Sequence, residues 1–353
     1  MTFFTAIADV FLYIAFSYLA GYVVLQFVPE NRKPPLAASQ VLLLLSTVGI
    51  VVLSFLPVYE LAVFLQSSQG WKEAYVNAIT GFRIGQGWLI TLLLSMILAI
   101  SIYLGGSRSI QGLYLFLLIL TVGFYSHIST LDLWTGFALH SIHILFMSMW
   151  TGVLLHVAWF AKDGANWRQF LAWFTPFAFF SVAAVIVSGI IIMFYFVAPS
   201  DYANSWALPY GQLLLLKHIS IIPVLLAALI NGFLNKKREF HQAWLKVESI
   251  LLLIVFVFTA FMSKQAPPHD VNDTLRIEGG GWLIEKLVGP LYIPLTAGLD
   301  WTLNGSLLMG VSLLLLAMML LSFFRQLNAW LSLMFSIGFI ICFYTGLMLN
   351  LSF

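Results

Sequence analysis

Long apolar runs separated by short polar connections organise this chain from end to end. They cover Phe3–Val28, Gln40–Leu65, Trp88–Leu104, Leu113–His127, Phe137–Phe160, Phe170–Val197, Leu213–Leu234, Leu245–Met262, Ser306–Phe324 and Leu327–Leu351. The fourth extends back to Ile110. A helix crossing a bilayer needs roughly 20 apolar residues, so the pattern predicts an all-α, polytopic transmembrane helix bundle of about ten spans. A β-barrel does not fit, because its strands would alternate apolar and polar side chains and lower the hydropathy. Two connections are long, Gln66–Gly87 and Ser263–Gly305. The second holds Pro267-Pro268 and Gly279-Gly280-Gly281. Its stretch Trp282–Leu299 is amphipathic, which predicts a segment on the membrane surface or one dipping into the bilayer.

Composition excludes a water-soluble body. Hydrophobic residues make up 61% of the 353 and charged ones 8%, against about 25% charged in a globular domain. Mean hydropathy is +0.98. Met1–Val10 lacks the basic start of a cleavable secretory signal, and the first run continues to Val28, long enough to span. Cys342 is the single cysteine, so no internal disulfide and no Cys-x-x-Cys metal site is expected. A net charge of +2 gives no reason to expect a nucleic-acid partner. There is no Gly-x-x-x-x-Gly-Lys-Ser/Thr loop to cradle ATP phosphates. The chain reads as a non-enzymatic membrane protein whose driving force is a gradient or a partner.

Basic residues set the expected orientation. Odd-numbered connections hold Arg32, Lys33, Arg108, Lys162, Arg168, Lys236, Lys237, Arg238 and Arg325, with Lys246 at the adjoining helix end. Even-numbered ones hold Lys72, Arg83, Lys264, Arg276 and Lys286. The excess puts the odd connections inside and both termini outside. Trp88, Trp134, Trp167 and Trp330 sit near span ends, as an aromatic belt would.

Ionisable groups inside spans are costly and call for a partner or a function. The informative ones gather toward the predicted outer face: Asp9, His127, Asp132, His140, His143, Lys217 and His218, with Met147 near by and His269 and Asp270 just beyond Met262. His140, His143 and Met147 stand at i, i+3 and i+7, one face of a helix. Imidazole nitrogen with thioether sulfur suits copper: the soft sulfur favours Cu(I), and imidazole serves both Cu(I) and Cu(II). His127 and His218 lie at similar predicted depth, so His127, His140, His143, Met147 and His218 form the candidate ligand set. Histidine ligates as the neutral imidazole, so affinity should fall at low pH. His156, at the inner end of its span, reads as an exit-side group or an interfacial anchor. His241 reads as solvated, and Met149 and Met318-Met319 as packing residues. Histidines on facing spans also ligate haem, which keeps a haem-binding redox protein open. A two-haem chain would need more than His156 in the inner half. A copper-binding membrane protein that transports nothing is the third reading.

The run His143, Trp150 seven residues on, then Gly152, resembles a signature of the copper resistance protein D (CopD) family. Further pieces follow in the family's order: Phe177–Gly189 ending in Ser188-Gly189; Tyr210-Gly211 leading to Lys217; Asn231 and the basic exit Asn235-Lys236-Lys237-Arg238; Glu248, Thr259-Ala260 and Pro267-Pro268. Ser126-His127 resembles a Gly-His pair at the preceding helix end. Serine in place of that glycine, and the additional His140, depart from the pattern. The resemblance covers about Leu113–Asp270. It implies copper handling in the bacterial cytoplasmic membrane, with copper passing inward and a periplasmic or extracellular CopC-type copper-binding partner. His127, His143, Trp150, Lys217 and Glu248 occupy family positions. Glu248 would pair with a neighbouring base or assist ion release. On this reading residues 1–112 are N-terminal spans, 113–270 the CopD-like core, 271–305 an outer loop and 306–353 a two-span extension.

Overall fold

The computed structural model describes residues 2–235 and 239–353. The basic stretch Lys236-Lys237-Arg238 therefore lies outside the described residues. Of the described residues 80% are helical. The helices are α1 (Thr2–Phe27), α2 (Gln40–Gln69), α3 (Trp71–Thr80), α4 (Arg83–Tyr103), α5 (Arg108–Phe124), α6 (His127–Leu131), α7 (Leu133–Phe160), α8 (Trp167–Phe194), α9 (Pro209–Leu229), α10 (Gln242–Met262), α11 (Val271–Glu278), α12 (Trp282–Val288), α13 (Leu303–Phe324) and α14 (Ala329–Leu349). Nine of the described helices are long and apolar enough to cross a bilayer, and the expected tenth is α5, at 17 residues. The all-α polytopic architecture stands. In lipid the backbone must satisfy its own hydrogen bonds, and a helix does so locally. Among the described residues strand is confined to β1 (Gly298–Leu299) and β2 (Leu351–Ser352), an antiparallel pair.

Three differences from the sequence pattern have local causes. The fourth run does not continue to His127. Ser126 and Ser129 donate their hydroxyls to the carbonyls of Gly123 and Phe124, at 2.8 and 2.6 Å, and α5 stops at Phe124. His127 instead begins α6. The next run begins earlier than Phe137, because the Asp132 carboxylate accepts from Thr135 N and caps α7. Within Trp282–Leu299 only Trp282–Val288 is helical: Gly289 takes a left-handed φ of 92° and Pro290 follows.

Packing divides the chain into two compact units, one reaching Ile192 and including Phe240, the other beginning at Met193. In the first unit α1 packs on α2, α5 and α7, and α4 packs on α2 and α5. Leu19, Ile50, Leu98 and Leu118 are among its fully buried side chains. The closest approach is between α1 and α7, where a Cβ at Gly21 would fall on the Gly152 backbone, and one at Gly152 on the Ser17 carbonyl and Gly21 amide. Ser17/Gly21 and Ser148/Gly152 are each four residues apart, the small-x-x-x-small spacing that lets membrane helices meet closely.

In the second unit α9 packs on α10, α14 packs on both, and α13 pairs with α14. Leu215, Ile219, Phe339 and Met348 are buried in its core. Large apolar side chains stay exposed along the spans, such as Phe179 at 70% and Leu314 at 66%. On a soluble protein these would be liabilities; here lipid covers them. Trp134 and Trp330 are exposed as belt residues would be, whereas Trp167 is 5% exposed and packs on Phe170 and Phe240.

Candidate metal centre

Helix α7 carries most of the candidate ligands. His140, His143 and Met147 are half-buried along it. His127 is exposed at the start of α6, which packs against α7. His218 is half-buried on α9, in the second unit. Among the described residues no group of three or more His, Cys, Asp or Glu side chains is arranged to hold a metal ion.

Two of the candidates have defined neighbours on other helices of the first unit. The Met147 sulfur lies 3.9 Å from the Ser17 hydroxyl of α1. His143 Nδ1 lies 3.0 Å from the Ser188 hydroxyl of α8. Beside it, a Cβ at Gly189 would come within 3.1 Å of His143 Cε1, so the glycine leaves the ring its room. Phe146 meets Phe180 edge-on at 5.2 Å and helps hold α8 against α7. Two stretches singled out separately in the sequence, His143 and Ser188-Gly189, thus become one local arrangement.

In the second unit His218 Nδ1 lies 2.7 Å from the hydroxyl of Tyr202, which precedes α9. Burial pushes the Tyr202 phenol up to about 12, against an opposing pull from Trp206. It keeps its proton at neutral pH and can donate to the imidazole as well as accept from it. Sequence reasoning missed Tyr202, since nothing in its spacing ties it to a histidine sixteen positions later. His269, beyond α10, has its ring 5.9 Å from that of Phe196.

Two buried polar groups lie deeper in the spans. His156 is 1% exposed and stacks on Tyr18, with centroids 4.4 Å apart and planes at 15°. Its Nδ1 donates to the Gly152 carbonyl at 2.9 Å, while Nε2 has no hydrogen-bond partner among the described residues. Such burial is not that of an interfacial anchor. Glu248, 3% exposed on α10, accepts from Asn231 Nδ2 at 2.7 Å. Asn231 sits in the π-helical turn Ile230–Leu234 that ends α9, a kind of turn found often at functional sites.

Among the described residues, nine apolar helices long enough to cross, a shorter tenth, and exposed apolar surfaces along them define a polytopic α-helical membrane protein. Within it, residues 168–262 match the family model for copper resistance protein D. The matched segment takes in Ser188-Gly189, Lys217, His218, Asn231 and Glu248. It leaves out His127, His140, His143 and Met147, as well as the C-terminal helix pair. No curated protein and no solved structure matches the chain.

Proposed function

We propose that this protein transports copper across the bacterial cytoplasmic membrane, taking it from the outer face and delivering it inward. One observation carries the reading: Ser188-Gly189 of the CopD-matched segment packs on His143, within the one-faced array His140, His143 and Met147. The CopD match supports a copper-related membrane role, and the array supplies the donors. Thioether sulfur and imidazole nitrogen together suit a cuprous ion, and imidazole alone also accepts the cupric ion. His127, on the helix that packs against α7, completes the proposed ligand set within the first unit. Residues 113–270 act as the copper-handling core, and a CopC-type binding protein outside hands over the ion. The membrane potential draws a cation inward with about 2.3 kcal/mol per charge per 100 mV. No step calls for covalent chemistry, so the protein works as a carrier rather than an enzyme.

Copper titration of the purified full chain under chelator competition tests the site. His143→Ala is expected to weaken binding by tenfold or more, about 1.4 kcal/mol per factor of ten. Affinity is also expected to fall as the pH is lowered, because protons compete for the imidazole lone pairs. Unchanged stoichiometry and affinity in both His143→Ala and His127→Ala would remove the proposed site. An absorption spectrum of the same sample decides against haem if no Soret band is present. Radiocopper flux into proteoliposomes gives the direction, and absent flux with intact binding would leave a copper-binding protein that does not transport.

A further inference from the structure

The Ser188 hydroxyl has one proton and two polar neighbours of different kinds. Its oxygen lies 2.6 Å from the Ala184 carbonyl and 3.2 Å from that of Val185. Two oxygens at 2.6 Å are joined by a proton, and a carbonyl has none to give. The serine proton therefore goes to the backbone of its own helix. Ser188 then meets His143 Nδ1, at 3.0 Å, with a lone pair. For that contact to be a hydrogen bond, Nδ1 must carry the imidazole proton, and Nε2 then holds the ring's lone pair.

Other serines in the spans show what is unusual here. Ser181 donates to Phe177 O at 2.9 Å and Ser322 to Met318 O at 2.8 Å, the ordinary back-bond of a serine inside a helix. Ser188 makes the same back-bond and also receives an imidazole from another helix. Gly189 shapes the same place, since a Cβ there would lie 3.1 Å from Cε1 and 3.5 Å from Nδ1 of His143.

We propose that Ser188 is a positioning residue for copper: it fixes His143 as the tautomer that ligates through Nε2, while Gly189 keeps the ring in place by leaving it clearance. This rests on the copper-transport reading and adds which ring nitrogen meets the ion and what sets it. A partner behind a ligating histidine typically contributes about 10–100-fold in metal affinity.

The test compares Ser188→Ala, Ser188→Thr and His143→Ala in the full chain, using copper affinity and pulsed electron paramagnetic resonance of the Cu(II)-loaded protein. In that spectrum the ring nitrogen remote from the metal reports its own hydrogen bonding. Ser188→Ala is expected to weaken copper by about 10–100-fold and to shift the remote-nitrogen signal of His143. Threonine, which keeps a hydroxyl, is expected to restore both. If His143→Ala loses affinity but Ser188→Ala keeps wild-type affinity and an unshifted signal, the positioning role is overturned and the copper site stands. If His143→Ala leaves copper affinity unchanged, His143 is not a ligand and the positioning role is overturned; if His127→Ala leaves it unchanged as well, the copper site itself fails. Should Ser188→Ala not fold, Ser188→Thr must still reproduce the wild-type remote-nitrogen signal, and a shifted signal there overturns the proposal.

Discussion

Gly152→Val is expected to prevent the first unit from assembling. A side chain at this position of α7 meets backbone, the Ser17 carbonyl and the Gly21 amide, and no flexible side-chain end is there to move aside. The helices must separate to admit it. Overpacking in a core that can adjust costs about 1–3 kcal/mol, and this contact exceeds that range because α1 packs on α2 and α5 as well as on α7. Gly21→Val acts from the other side and is expected to do the same. The contact between the Ser17 hydroxyl and the Met147 sulfur would be lost with it. Gly310→Ala is the control: nothing lies within 4 Å of a Cβ there, so it is expected to be neutral. Thermal unfolding and monodispersity of the detergent-solubilised protein measure the effect. Wild-type stability in Gly152→Val would mean that α1 and α7 do not meet as described.

The second large effect is expected at Asn231→Leu. Asn231 donates a 2.7 Å hydrogen bond to Glu248, and both residues are buried, at 8% and 3% exposure. Removing the donor leaves a buried carboxyl group without its amide partner, which costs about 1–3 kcal/mol, and more if the group is ionised. Glu248→Gln keeps an acceptor for the amide and is expected to cost less. The pair Asn231→Leu with Glu248→Leu removes both polar partners and is expected to recover most of the loss. A double-mutant cycle of unfolding free energies reads this directly, and no recovery in the double variant would show that the hydrogen bond is not what the position contributes. Copper flux through the stable double variant then separates structure from transport. If Glu248 assists ion release, flux falls although the fold is kept.

Much of the fold is legible in the sequence because a lipid-solvated span declares itself locally, through unbroken apolar length. The shorter α5 is the instructive case. Its apolar run goes on to His127, but the hydroxyls of Ser126 and Ser129 take the carbonyls at its end. Hydropathy does not register a hydroxyl that folds back on the backbone. Trp282–Leu299 differs in another way: its amphipathic pattern marks one stretch, and its helix ends at Val288, where Gly289 takes a positive φ. At the candidate site, one-sided spacing along a single helix is equally local, so the face bearing His140, His143 and Met147 could be read directly. Neither the partner of His143 nor that of His218 was readable in this way.

By itself, the sequence determined the solvent of this protein, its helical class, the order of its spans and the types of donor it offers to a soft metal. These follow from apolar length and a period of 3.6 residues, both properties of neighbouring positions. Only the tertiary structure decided that Ser188 meets His143 across 45 positions and that Asn231 meets Glu248 across 17. Such pairings depend on how closely helices approach, and that is set by missing side chains, as at Gly21 and Gly152, and by single hydrogen bonds between helices.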